Sequence, residues 1–108
     1  MKKLYWKCDL VHGDLSEYNI IYHMGRAYVI DVGQSVLRGH PNALRFLLRD
    51  ANNVSRFFLS RGMTEMMSGP ELFCEITGHK IEITDNLDEV DILKKVSTDS
   101  LLLWVWFG

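Results

Sequence analysis

Three side chains define the chemistry open to this sequence: Asp14, Asn19 and Asp31. Asp14 follows Leu10-Val11-His12 and the small Gly13, and Asn19 lies five positions further on. Asp31 follows a second apolar run, Ala27-Tyr28-Val29-Ile30. A carboxylate, a carboxamide and a second carboxylate on loops after short strands suit phosphoryl transfer. One Asp takes or orients the hydroxyl proton, and the Asn and the other Asp hold Mg²⁺ against the phosphates of ATP. Taken singly, each has a plainer reading. Asp14 alone is a turn or capping residue, Asn19 a polar strand edge, Asp31 the end of a strand. His12 reads as a core histidine bonded to nearby backbone rather than as an acid or base.

The elements that must position these residues are short. Leu4 and Cys8 sit at i and i+4 with Tyr5 beside them, so Lys2 to Cys8 reads as the closing turns of a helix. Leu10-Val11-His12 reads as a strand entering the Gly13-Asp14 turn, with Gly13 free to take angles that a larger residue cannot. Asn19 to Tyr22 and Arg26 to Ile30 read as two strands of a hairpin. They turn at His23-Met24-Gly25, with Gly25 as the positive-φ residue. Antiparallel pairing would then put Asn19 beside Asp31, a physical reason for both to touch one metal ion.

Beyond the hairpin, Gly33-Gln34-Ser35-Val36 reads as a loop. Pro41 suits a first helical turn, where its missing N–H costs little. Apolar residues recur at Ala43, Leu44, Leu47 and Leu48 and again at Val54, Phe57 and Phe58, with the polar run Arg49 to Asn53 between them. That pattern fits two helices, or one kinked helix, ending at Gly62. Ser68 caps a short helix with an apolar stripe at Leu72, Phe73 and Ile76, stopped by Gly78. Phe57-Phe58 and Leu72-Phe73 are expected in the core. Residues His79 to Ile83 read as loop or extended chain, and Asp85 to Val96 as a last helix, acids early and lysines late.

Composition narrows the class. A chain of 108 residues that is 47% hydrophobic and 24% charged is ordinary for one small globular domain. A net charge of −2 leaves no electrostatic footprint for nucleic acid or an anionic membrane. No run reaches the roughly 20 apolar residues that span a bilayer. Two distant cysteines, Cys8 and Cys74, read as reduced, partly buried thiols of a reducing compartment, and the four histidines are too scattered for a zinc site.

The spacing from His12 through Asp14 to Asn19 fits the protein-kinase loop H-R-D-L-x-x-x-N, with Gly13 in the place of the Arg. Asp14-Leu15-Ser16-Glu17-Tyr18-Asn19, Ile30-Asp31-Val32 with Gln34-Ser35-Val36, His40-Pro41 and Phe46-Leu47-Leu48-Arg49-Asp50 resemble the RIO family of atypical protein kinases. The likeness runs from about Met1 to Ile76 and more weakly to Val96, with a lean toward the third subfamily. It departs at Gly33, where the family usually has Ser.

The resemblance implies an α+β fold like the C-terminal lobe of a protein kinase. That lobe would be mostly helical, with a short β-hairpin carrying the catalytic and metal loops. It implies Asp14 as the catalytic Asp, Asn19 and Asp31 as Mg²⁺ ligands, and Asp31 as a possible acyl-phosphate acceptor. It implies ATP as co-substrate, a protein substrate or precursor particles of the small ribosomal subunit as partners, and a cytoplasmic setting. Neither sequence-specific nucleic-acid binding nor membrane attachment is expected.

No G-x-G-x-x-G occurs, so the N-terminal, nucleotide-binding lobe is expected to be absent. Residues 1–96 then form a partial C-lobe of doubtful activity by itself, and 97–108 an apolar tail without a family counterpart, whose Trp104-Val105-Trp106-Phe107 would be an aggregation liability if exposed. Two other functions compete. One is a non-catalytic binding module derived from such a lobe. The other is a relative of the small-molecule phosphotransferases, which share an H-G-D-x-x-x-x-N loop; Gln34-Ser35-Val36 and His40-Pro41 argue against it.

Overall fold

The computed structural model describes residues 1–79, 88, 90–94 and 96. Helix α1 (Lys2–Trp6) leads into strand β1 (Leu10–Val11). A 3₁₀ turn (Glu17–Asn19) precedes β2 (Ile20–His23) and β3 (Arg26–Val29). A second 3₁₀ turn (Val32–Gln34) precedes β4 (Val36–Leu37), and helices α2 (Ala43–Ser60) and α3 (Gly69–Thr77) follow. Strands β2 and β3 pair antiparallel from Ile20 opposite Val29 to His23 opposite Arg26. The result is a small mixed helix and strand domain with a two-stranded hairpin, and no helix among the described residues is long and apolar enough to cross a membrane.

The sequence reading needs correction at several points. Val36 belongs to a strand rather than a loop. It pairs with Val11, and Leu37 with Leu10, so the chain after Asp31 returns to cover the strand that leads to Asp14. Asn19 ends a 3₁₀ turn instead of opening β2. The hairpin turn uses positive φ at Met24 as well as at Gly25. That pair matches the twist of two antiparallel strands joined by two residues.

Pro41 stands before the helix, since α2 begins at Ala43 with Asn42 as its N-cap. The Ala43 N–H donates to the His40 carbonyl at 3.0 Å, which makes Pro41 the second residue of a tight turn, a position its fixed φ favours. The polar run at Arg49 to Asn53 neither breaks nor divides α2, which continues through Ser60. Its end is a Schellman motif: the Gly62 N–H donates to Leu59 and the Met63 N–H to Phe58, with Gly62 at φ 92°. Phe57 and Phe58 are half-buried rather than core, and Cys8 is exposed while Cys74 is buried. Neither cysteine is in a disulfide.

The main core lies where α2 crosses α3 under β1, with Val11, Leu48, Ala51, Phe73 and Ile76 essentially inaccessible. A second cluster, Leu15, Ile20 and Val54, sits beneath the hairpin and the loop that carries Asp14. Of the expected last helix, residues 90–94 and 96 are helical, and Ile92 and Val96 join the main core. Asp88 stands before it outside the helix, its carboxylate accepting from the Asp91 N–H at 2.9 Å, while residues 85–87, 89 and 95 of that helix, residues 80–83 of the expected loop, and the 97–108 tail lie outside the described residues.

Helices α2 and α3 meet at Gly69, where a Cβ would stand 2.8 Å from Asn52 Cα and would also collide with its carboxamide. Alanine is the better helix former by about 1 kcal/mol. The overlap with backbone should nevertheless win, because overpacking a tight contact costs about 1–3 kcal/mol. Gly69→Ala is therefore expected to lower the free energy of unfolding in urea. An increase would mean that the two helices separate without loss.

Candidate active site

The loop from His12 to Asn19 is held from below by α2. Asp50, 1% exposed, accepts from the Gly13 N–H at 2.7 Å and from the Leu15 N–H at 3.1 Å, one to each carboxylate oxygen. Asn53, one helical turn on, donates from Nδ2 to the Leu15 carbonyl at 2.9 Å. Arg49 donates to the Gly13 carbonyl and stacks its guanidinium 5.0 Å over the Phe46 ring. The polar interruption in an otherwise apolar helix is thus the face that holds the loop. Gly13 makes the turn possible through its φ of 83°, where a side chain is strained, although a Cβ there would meet the Gln34 carbonyl only at an ordinary 3.4 Å.

His12 is buried and bridges the two carboxylate loops. Its Nδ1 accepts from the Asp14 N–H at 3.2 Å, and its Nε2 lies 3.0 Å from the Ile30 carbonyl. An N–H approaching Nδ1 and a carbonyl facing Nε2 fit the neutral ring with its proton on Nε2. The Ile30 N–H in turn donates to the Asn19 carbonyl at 2.9 Å. The backbone of Asn19 therefore lies against Ile30, one residue before Asp31, while Asp14 is tied to the same Ile30 through His12.

Asn19 is buried and fully occupied as a structural residue. Its Oδ1 accepts from the Ser16 N–H at 2.6 Å, and its Nδ2 donates to the Asp14 carbonyl at 2.8 Å. With the Ser16 hydroxyl accepting from Tyr18, this forms a capping box at the start of the 3₁₀ turn. Asp14 and Asp31 are both exposed. Asp31 is held at φ 58° and ψ 63°, and its side chain makes no capping bond to the turn that follows. A non-glycine residue in this left-handed region costs about 1–2 kcal/mol, less for Asp than for most.

The donor set suits a hard cation. Carboxylate and carboxamide oxygens prefer Mg²⁺ or Ca²⁺ over zinc, and Mg²⁺ commonly takes one or two protein oxygens with phosphate oxygens and water. Asp31 has an accessible carboxylate, whereas Asn19 is buried and its Oδ1 already accepts from the Ser16 N–H at 2.6 Å and from the Ser16 hydroxyl at 3.5 Å, so a cation there would displace the longer bond. Asp50, Asn53 and Arg49 are the residues that sequence reasoning missed as parts of this site. The available signal was a cluster of polar residues on the apolar side of α2.

Burial pushes the Asp50 carboxyl above its ordinary value, and the bonds from Gly13 and Leu15, with the Arg49 guanidinium nearby, pull it partly back. A raised value in the folded state means that the folded chain keeps this proton longer than the unfolded one. Stability from this group is complete below the ordinary carboxylate value of about 3.9 and falls as pH rises through the raised value. Asp50→Asn removes that slope. It also turns an amide NH₂ toward a backbone N–H, an unsatisfied buried donor that costs about 1–3 kcal/mol. Urea unfolding across this pH range should show the variant weaker, and without the fall in stability that Asp50 brings as pH rises. An unchanged stability would show that the loop does not hang on Asp50.

Comparison with known proteins shows the family of the chain. The RIO domain family model matches residues 1–71. The mouse serine/threonine-protein kinase RIO3 is 44% identical over 104 residues, which cover 94% of this chain and 20% of the mouse protein. The human serine/threonine-protein kinase RIO1 is 46% identical over 88 residues, 82% of this chain and 15% of its own length. A probable serine/threonine-protein kinase RIO1 homolog of Encephalitozoon cuniculi is 47% identical over 92 residues, 85% of this chain and 23% of its own. The chain thus spans about a fifth of the length of the curated relatives it matches. With the H-G-D loop, the hairpin and the buried Asp50 on one side, and these matches on the other, the chain belongs to the RIO domain family of serine/threonine-protein kinases.

Proposed function

We propose that these residues are the phosphoryl-transfer half of a RIO-type ATP-dependent serine/threonine kinase or ATPase, corresponding to a kinase C-terminal lobe. Asp14 orients the acceptor hydroxyl and takes its proton. Asn19 Oδ1 and the Asp31 carboxylate hold Mg²⁺, which when bound offsets the charge on the phosphates of ATP. Asp31 is also a candidate acceptor. Its carboxylate oxygen would bond to the γ-phosphorus as the bond to the ADP oxygen breaks, and water would later release phosphate. In this reading the partners are ATP and a protein substrate or precursor particles of the small ribosomal subunit, and the setting is the cytoplasm.

One observation supports the reading above the others. The hairpin register and the His12 bridge bring the backbones of Asp14, Asn19 and Ile30-Asp31 together, each through a hydrogen bond of 3.2 Å or less. Protein kinases also cover the phosphates with a Gly-rich loop and a strand Lys. The 108 residues contain no G-x-G-x-x-G, so on their own they are expected to turn ATP over slowly.

The test is to place this segment in the mouse RIO3 kinase in exchange for the stretch it matches, and to measure phosphate release from labelled Mg-ATP. The hybrid is expected to retain turnover. Asp14→Asn and Asp31→Asn should each lower it by about 100-fold or more, the scale of losing a positioned base or charge. Turnover indifferent to Asp31→Asn would sink the reading. Asp31→Gly should be equally inactive yet more stable by about 1 kcal/mol, since glycine takes the left-handed conformation without strain. Thermal unfolding checks this, and lower stability would show that the Asp31 side chain supports the fold.

A further inference from the structure

We propose that Arg49 is a positioning residue for Asp14, reaching from helix α2 to hold the carbonyl of the peptide that precedes it. The inference rests on the kinase reading for its catalytic consequence, but its geometry stands apart from that reading.

The peptide plane between Gly13 and Asp14 is held at both ends. Its carbonyl accepts from Arg49, and its N–H donates to His12 Nδ1 at 3.2 Å. That plane fixes the direction in which the Asp14 side chain leaves the loop. The neighbouring N–H groups, of Gly13 and Leu15, are taken by Asp50. Asp50 therefore holds the loop on the helix, whereas Arg49 and His12 together fix the tilt of the peptide before Asp14, Arg49 at its carbonyl end. A catalytic carboxylate must be held to within about 0.5 Å and 10–20° of its working geometry. Asp14 is exposed, and no described residue hydrogen-bonds its side chain, so it depends on its backbone for that.

The guanidinium is itself held. It lies 5.0 Å from the Phe46 ring centre, and Phe46 stacks on His40 at 6.0 Å with 26° between the planes. A planar cation on an aromatic face loses less freedom in making a hydrogen bond than a lysine ammonium would. Gly13 completes the fit. A Cβ at residue 13 would approach both the Gln34 carbonyl, at 3.4 Å, and Phe46 Cδ2, at 3.9 Å.

Two measurements test the role. Amide hydrogen exchange on the whole 108-residue chain reads the clamp without any activity. In Arg49→Ala the Asp14 N–H should exchange at least about tenfold faster, while the Leu15 N–H, held by Asp50, keeps its wild-type rate. In the RIO3 hybrid, the same substitution should lower kcat at least about tenfold and leave KM for ATP within about twofold, as expected when geometry rather than ground-state binding is lost. Arg49→Lys should recover only part of kcat, and added ethylguanidinium should restore several-fold to Arg49→Ala and nothing to Arg49→Lys. An unchanged Asp14 exchange rate overturns the clamp. A normal kcat, or a loss confined to KM, overturns its catalytic use. If the hybrid with Arg49 intact releases no phosphate, the kinase reading fails, and the exchange result alone decides the clamp.

Discussion

The Asp50 carboxylate under the loop is the contact on which the rest of the site depends. A loop that turns sharply at Gly13 leaves two backbone N–H groups pointing inward, toward a helix rather than water. Unpaired, each would cost about 1–3 kcal/mol. One buried carboxylate takes both, at 2.7 and 3.1 Å, and no neutral side chain of that size offers two acceptor oxygens at that spacing. The cost is the desolvation that raises the acid's pKa, and the bonds offset part of it. Remove the acid, and Gly13, Leu15 and the residue between them lose their anchor together.

Rigidity and strain divide the site in two. The Asp14 half is over-determined: His12, Arg49, Asp50, Asn53 and Asn19 all bond its backbone or its neighbours. The Asp31 half is held at its entrance by the Ile30 bonds and then passes through a left-handed residue into a single 3₁₀ turn. Backbone strain of this kind persists only where the surroundings enforce it, and it collects where a side chain must be aimed. Here β4, pairing with β1, supplies the enforcement by returning the chain to the strand it left.

Much of this was legible in the residues. Alternation and turn chemistry gave the hairpin, a serine and a glycine bracketed α3, and the apolar period marked the stretch of α2, although as two helices or a kinked one. What failed did so for physical reasons. Val36-Leu37 is too short for any periodic signal, and its strand exists only because β1 lies beside it. Pro41 is compatible with both a tight turn and a first helical turn, and the His40 carbonyl decided for the turn. The polar run at Arg49 to Asn53 looked like an interruption because sequence shows that a helix face is polar but not what lies opposite. For the same reason Asp14, Asn19 and Asp31 could be picked out by spacing, whereas the residues that hold them could not.

Asn19 shows why one side chain type is required where two duties meet. As a cap it must accept from the Ser16 N–H, and as a brace it must donate to the Asp14 carbonyl. An aspartate could do the first, but would set an oxygen against an oxygen in the second. A shorter or purely donating side chain could do neither while keeping an oxygen for a cation. The carboxamide does both, and its oxygen also accepts from the Ser16 hydroxyl at 3.5 Å, the longer bond and the one a cation would displace. The group that would bind a metal is therefore the same group that fixes its distance from the carboxylate five residues earlier. Because the amide nitrogen is committed to Asp14, the amide cannot flip, and the oxygen is presented in one orientation only.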